Sequence, residues 1–290
     1  MDNTHSFRET MQFAVLENVV LSKTGNIEDS EDRIHVSDYF LAVVDGATSK
    51  TDEKLNGEAP GRIASSLVDE AFSKISPDAT AREAVDLMTL LIQEFYLKND
   101  IIGLVESDPS RKAIASFVAA SRRRKEIWLV GDCQFFVNGQ RTKGEKKVDK
   151  LLSEVRSMYL ETELLKGKTT EQLIKTDTGR EYIIPLLRRQ VLFQNNPSSG
   201  DYWFPSIDGS FVPDQGIAVY NIPLGTQYII LASDGYPFLH DTLEQSEAAL
   251  RDLLCEDPLL FRLYKSTKGL QDGLFSFDDR AYLKARLIWS

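Results

Sequence analysis

Four strand-like runs of this chain meet an aspartate at one end. Phe40-Leu41-Ala42-Val43-Val44 runs into Asp45-Gly46, Ile127 to Val130 into Gly131-Asp132, and Gln227 to Ala232 into Ser233-Asp234-Gly235. Asp278-Asp279 stands just before the closing run Ala281 to Ile288, and the acidic pair Glu31-Asp32 stands upstream of the first. A single Asp-Gly after a strand is ordinarily a turn. Repetition asks more of the fold, because carboxylates gathered at the ends of neighbouring strands repel one another unless cations offset the charge. Hard divalent ions such as Mg²⁺ and Mn²⁺ take oxygen ligands, and a rigid sheet can fix their geometry. Periodicity does not show that these strands are neighbours, so a set of unrelated turns is the competing reading.

Between these runs the period changes. Gln12 to Leu21 reads as a strand. From Gly61 the residues Ile63, Leu67, Ala71 and Ile75 recur at helical spacing, and Pro77-Asp78 ends that helix. Thr80 caps a second helix whose apolar face carries Ala84, Met88, Leu91 and Phe95. Ala113 to Ala120 and Gln134 to Val137 are strand-like, and Asn138-Gly139 is a hairpin signal. The basic run Arg122-Arg123-Arg124-Lys125 between strands reads as a solvated turn. The stretch 143–216 differs, with helical patterns near Val148 to Leu165 and Glu181 to Phe193 and a polar, aromatic passage after them. It reads as an insertion on the edge of a single domain spanning 1–290, since no linker separates it. Strands resume at Ile217 to Tyr220, and helices are expected at Glu244 to Leu254 and Pro258 to Tyr264.

Composition narrows the function classes. With 290 residues, 42% hydrophobic and 27% charged, the chain can bury a sizeable core. Its net charge of −10 argues against broad nucleic-acid binding, which needs basic surface. No apolar run approaches the ~18 residues of a membrane span, and Met1 to Met11 is polar rather than signal-like. Cys133 and Cys255 form no CxxC pair and read as free thiols. The expectation is a soluble cytoplasmic monomer without nucleic-acid or membrane partners.

The order and spacing of the motifs add to this. The chain resembles the PPM family of metal-dependent serine/threonine protein phosphatases, the 2C-like class, in its bacterial form. Ser30-Glu31-Asp32 stands where that family has Asn-Glu-Asp, Asp45-Gly46 follows at the family's distance, and Gly57-Glu58 leads into a helix. Gly131-Asp132-Cys133-Gln134 is similar to its Gly-Asp-Ser-Arg, Leu231-Ala232-Ser233-Asp234-Gly235 to its Leu-x-Ser-Asp-Gly, and Asp278-Asp279-Arg280-Ala281 to its Asp-Asn-x-Thr. The resemblance covers nearly the whole length. It implies an α+β fold, a four-layer αββα sandwich of two antiparallel sheets flanked by helices, with 143–216 holding the variable flap.

It also implies two Mn²⁺ or Mg²⁺ ions, with room for a third, and a phosphoprotein substrate attacked directly by metal-activated water. Asp45 would bridge the ions, the Gly46 carbonyl would complete one shell, and Asp234 and Asp278 would hold the other ion. Glu31 and Asp32 would bind through ordered water, and Asp132 would serve the reacting water or the third ion. Asp45 and Asp132 are thus the expected catalytic residues. Ile27 stands where the family has a phosphate-gripping arginine; Arg33, or Lys23 near it, is the candidate replacement, against the plainer reading of a solvated strand-edge cation. Ala47-Thr48-Ser49 replaces the family's glycine-rich turn, and Cys133-Gln134 replaces Ser-Arg. These departures leave two alternatives open: a pseudophosphatase acting as a binding module, and a phosphatase for a small metabolite.

Overall fold

The computed structural model describes residues 10–50 and 54–290. Most of the polar N-terminal stretch, and residues 51–53 of the loop after Asp45-Gly46, lie outside the described residues. In chain order the elements are β1 (Met11–Leu21), β2 (Arg33–Val36), β3 (Phe40–Gly46), α1 (Pro60–Lys74), α2 (Ala81–Lys98) and α3 (Ile102–Ser107). Next come β4 (Ala115–Ser121), β5 (Glu126–Val130), β6 (Gln134–Val137) and β7 (Gln140–Lys143). They are followed by α4 (Lys147–Leu165), α5 (Thr170–Lys175), α6 (Thr178–Arg189), β8 (Ala218–Asn221), β9 (Tyr228–Ala232), α7 (Leu243–Glu256) and β10 (Arg280–Trp289).

The strands form two five-stranded antiparallel sheets, β2-β3-β4-β5-β8 and β1-β10-β9-β6-β7. Central strands buried on both faces are apolar almost throughout rather than alternating. In β3, Phe40, Ala42 and Val44 enter a core with Ile63, Val68, Val85 and Met88 of α1 and α2. Leu41 and Val43 point the other way, against Leu231, Leu283 and Ala285 of the second sheet. The far face of that sheet packs Ile230, Ala232 and Tyr282 under Tyr236, Leu239 and Leu243. This is the α+β sandwich that the motif resemblance implies.

Local chemistry explains the element ends. Thr80 accepts from the Glu83 amide while Glu83 reaches back to the Thr80 amide, closing a capping box at α2. Asn138 and Gly139 both have positive φ, the conformation a two-residue hairpin turn requires, and join β6 to β7. Arg122, in the basic run between β4 and β5, is less solvated than its sequence suggests, because it donates to the carbonyls of Met11 and Asp38. The expected helix at Pro258 to Tyr264 does not form. The Asp257 carboxylate instead takes the amides of Phe261, Arg262 and Leu263 at 3.1, 2.8 and 2.8 Å, and Leu260 turns to positive φ. A side-chain acceptor outcompetes the helical ladder there.

Stretch 143–216 lies between β7 and β8, the edge strands of the two sheets. Val148 and Leu152 of α4 pack on Ile183 and Leu187 of α6. At its far end Ile207 bridges to Ala115 and Ile207 and Val212 join the main core. Arg156 of α4, fully buried, donates to Asp177 at 2.6 and 3.0 Å and to the carbonyls of Leu259, Leu260 and Ser266. Breaking such a pair from one side strands a buried charge, at a cost of roughly 3–5 kcal/mol. Arg156→Met is therefore expected to lower unfolding free energy by about that amount in urea melts. Arg262→Met, removing an exposed pair with Glu161, should cost less than about 1 kcal/mol.

Candidate functional site

Antiparallel pairing carries the motif aspartates to one end of the sandwich. β2 begins where β3 ends, with Arg33 opposite Val44, so Asp32 and Asp45 lie side by side. Asp45 itself faces Ser116 at the start of β4. β10 begins where β9 ends, with Tyr282 opposite Ala232, which brings Asp278 beside Asp234. Gly131-Asp132-Cys133 carries the chain from the first sheet to the second, and Gly131 takes φ +87° to make that turn. A Cβ on Gly46 would run into the carbonyl oxygens of Gly61 and Glu31, so only glycine lets β3 end against the start of α1. Gln134 donates to the carbonyls of Ser233 and Tyr236 at 2.7 and 2.9 Å, and so pins the turn that presents Asp234.

The carboxylates divide into two sets. Four carry lysines. Lys23 reaches Glu31 and Asp279 at 3.2 Å each, Lys146 reaches Asp132 at 2.8 Å, and Lys268 reaches Asp278 at 2.5 Å. Burial would raise Asp132, but Lys146, a 2.7 Å hydrogen bond from Ser116 and Lys143 outweigh it and hold the carboxyl at about 2. Asp278 is likewise held below its ordinary range by Lys268 and Lys23 against the effect of burial. Asp279 also accepts the amides of Lys23 and Glu31, tying the end of β1 to the acidic loop.

Asp32, Asp45 and Asp234 form the second set. Withdrawal from solvent pushes Asp45 well above the carboxylate range, and the charges of Asp234, Asp32 and Asp132 add to it. Asp32 is raised by burial and by Asp279, Asp278 and Asp234, despite a hydrogen bond with Ser233. Asp234 is raised to about 6 by burial and by Asp132 and Asp278. Asp32 Oδ2 is buried with no hydrogen-bond partner among the described residues. All-oxygen donors, uncompensated negative charge and an orphaned carboxylate oxygen suit a hard divalent cation. Asp32, Asp45 and Asp234 fit one in charge and donor type, although among the described residues no three acidic, His or Cys side chains already converge as a ligand set. The other expected ligands, Glu31, Asp132 and Asp278, are engaged by lysines.

Arg33 lies elsewhere. Its neighbour Ile34 enters the inter-sheet core, whereas His35, on the same face as Arg33, bonds Asp69 of α1 at 2.8 Å. Lys23 is the cation that reaches Glu31, and it also donates to Thr48, after β3, at 3.1 Å, while Arg62 reaches Glu28 at the outer end of the acidic loop. Ile27 is exposed in a short turn. Burial and the neighbouring carboxylates push the Cys133 thiol up, so it stays protonated and unreactive. Sequence reasoning missed Lys50, Lys143, Lys146, Lys268, Ser116 and the stapling role of Asp279. The cluster of lysines at 143–147 was the one visible signal.

Above the carboxylates opens a cavity of about 1280 Å³. Asp45, Asp132, Asp234 and Asp278 lie at its floor, and its walls come from the loop after β3, from β7, from the insertion and from the loop before β10. Twelve lysines and arginines line it against eight aspartates and glutamates, in a chain whose net charge is −10.

No family model and no curated protein matches the chain. Solved structures similar to it include serine/threonine phosphatases from bacteria. The Mycobacterium tuberculosis phosphatase PstP/Ppp is 16% identical, with 96% of this chain and 98% of that one covered and a TM-score of 0.46. The catalytic domain of PstP in complex with two manganese ions is 16% identical, at 96% and 100% coverage and a TM-score of 0.49. Stp1 from Staphylococcus aureus is 15% identical, at 95% and 94% coverage and a TM-score of 0.43.

Asp234 has a consequence for stability. Its folded value of about 6 lies above the ~3.9 of an unfolded aspartate, so the folded state binds the proton more tightly. Stability from this group is fully present below about pH 4 and is lost as pH rises through 6. In chelator, the wild type is expected to melt at a higher temperature at pH 5 than at pH 7, and Asp234→Asn to narrow that difference. A wild type that melts lower at pH 5 would contradict the raised value.

Proposed function

We propose that this chain hydrolyses phosphate monoesters in a reaction that depends on Mn²⁺ or Mg²⁺, and that its substrates are proteins phosphorylated on serine or threonine. The observation that carries the reading is the cluster of Asp32, Asp45 and Asp234 that no lysine pairs with, of which Asp45 and Asp234 line the floor of a cation-lined cavity. The six motifs in family order support the choice of substrate.

Asp32, Asp45 and Asp234 would hold the metal with the Gly46 carbonyl beside them; the motif resemblance calls for a second ion with Asp278 in its shell. Bound divalent ions would supply Lewis acidity at a phosphoryl oxygen and lower the pKa of water for in-line attack. The chain's own residues do the rest. Lys146 and Lys268, at the rim of the cluster, neutralise phosphoryl oxygens and orient the ester. Asp132, kept ionised by Lys146 and Ser116, accepts a hydrogen bond from the attacking water and holds it. Cys133, buried and protonated, offers no nucleophile, which agrees with direct hydrolysis rather than a covalent phosphoenzyme.

A second reading, a binding module that keeps the fold without turnover, is favoured by one observation: lysines already neutralise Glu31, Asp132 and Asp278. Hydrolysis of p-nitrophenyl phosphate with Mn²⁺, with Mg²⁺ and with chelator separates the two. The phosphatase reading expects metal-requiring turnover that falls by roughly 10²-fold or more in Asp45→Asn and in Asp234→Asn. Absence of turnover on aryl phosphate and on phosphopeptides, together with absence of Mn²⁺ binding in calorimetry, would replace it with the binding module.

A further inference from the structure

Once the ion pairs of the cavity are set aside, an inner group of cations is left over. Lys146 and Lys268 are matched by Asp132 and Asp278, Lys147 by Asp201 and Lys265 by Glu154. Lys50, Lys143 and Arg180 have no carboxylate within ion-pair distance among the described residues. They settle for neutral partners: Lys50 donates to the Thr48 carbonyl at 2.7 Å, Arg180 to the Thr267 carbonyl at 2.9 Å, and Lys143 to the Tyr264 hydroxyl at 3.4 Å. The three come from separate parts of the chain, the loop after β3, the end of β7 and the first turn of α6. All three line the one cavity, where Arg180 and Lys268 are the positive charges that weigh most on Lys50 and Lys143 stands on the side of Asp132 and Asp234.

We propose that Lys50, Lys143 and Arg180 form a second anion subsite beside the carboxylate cluster, and that it selects phosphopeptides with acidic residues next to the phosphorylated one. For its reaction this rests on the phosphatase reading; for its binding it does not. Burial and the nearby Arg180 and Lys268 push the Lys50 ammonium down to about 8, which reports the crowding of positive charge. Asp149 faces the same space, where burial pushes its carboxyl up, and it makes no ion pair with any of the three. The guanidinium of Arg180 can take a carboxylate through two parallel hydrogen bonds, and the two ammonium groups can take its neighbours. A peptide reaches this wall from the same cavity that exposes the cluster. The surplus matters because the chain as a whole is acidic. An acidic substrate is repelled by the general surface and drawn in only where positive charge is focused in a cleft.

Three labelled phosphothreonine peptides of equal length test this, flanked by two Glu, two Gln or two Lys. Binding is read by fluorescence anisotropy in chelator at 4 °C, and turnover by phosphate release in Mn²⁺. The wild type is expected to bind the Glu peptide at least tenfold more tightly than the Gln peptide and to show the same order in kcat/KM. Lys50→Gln/Arg180→Gln should bring the two peptides to near parity, by raising KM for the Glu peptide. Its urea midpoint, and that of Lys50→Gln alone, which keeps the Arg180–Thr267 hydrogen bond, show that the loss of preference is not a loss of fold. Parity of the Glu and Gln peptides in the wild type overturns the subsite, as does a preference that survives in the double variant. Turnover without preference would sink the subsite and leave the phosphatase reading intact. Acidic-peptide binding without any metal-dependent turnover would do the reverse.

Discussion

Like charge held out of water at one end of the sandwich is the constraint on which the rest of this structure depends. Each ionised carboxylate withdrawn from solvent costs several kcal/mol unless a partner offsets it. Here strand pairing delivers Asp32 beside Asp45 and Asp278 beside Asp234, because antiparallel neighbours begin where the others end, and the turn between the sheets delivers Asp132. The close approach at Gly46 and the left-handed turn at Gly131 bring them nearer still. A protein built for stability alone would scatter these residues. This one keeps them and supplies lysines to Glu31, Asp132, Asp278 and Asp279, leaving Asp32, Asp45 and Asp234 to raise one another's affinity for protons or cations.

The same constraint gives the stretch between β7 and β8 its role. Lys143 and Lys146 lead into α4, and Arg180 lies in the first turn of α6. Lys268 hangs from the loop that precedes β10. That loop is held by Arg156, which donates to Ser266 and Leu259, and by Arg180, which donates to Thr267. Through these bonds the packing of α4 on α6 fixes where the ammonium groups stand over the carboxylates. The core of the insertion and the electrostatics of the site are thus one mechanical unit, and loosening Arg156 from Asp177 disturbs both.

Much of the fold was legible in the sequence because its central strands are buried on both faces and its hairpin and helix caps use side chains with one strong preference. Phe40 to Val44 could hardly be anything but an internal strand, and Thr80 with Glu83 announces a helix start. The stretch Pro258 to Tyr264 misled because composition does not show that the Asp257 carboxylate will collect three amides. At the site, the aspartates were legible as strand-end motifs, since strand ends are local. Their cations were not. Lys23 and Lys268 lie 8 and 10 residues from their carboxylates Glu31 and Asp278, while Lys146 lies 14 from Asp132; none of these pairs lies within one helix or strand, so no periodic pattern announces it. Arg33 drew attention by proximity in sequence, yet the two-residue alternation of β2 sends it to the face opposite Ile34 and away from the cluster.

Charge also orders events at the site. Asp32, Asp45 and Asp234 together present up to three uncompensated negative charges where a phosphate dianion would have to sit close by. At the short distances involved, and in a medium less polar than water, repulsion between such groups outweighs any single hydrogen bond. On the phosphatase reading, a dianion would settle against the cluster itself only once those carboxylates are neutralised, by protons at low pH or by cations near neutrality, whereas acidic residues beside it would meet the cation-lined wall without that step. The lysines of Asp132 and Asp278 cannot serve all parties at once: an ammonium turned toward phosphoryl oxygen weakens its grip on the carboxylate behind it. On the phosphatase reading, substrate arrival and neutralisation of the cluster would therefore be coupled through Lys146 and Lys268. A chain with these lysines removed would bind cations more readily and phosphate less, which distinguishes a site shaped for both from a bare acidic cluster.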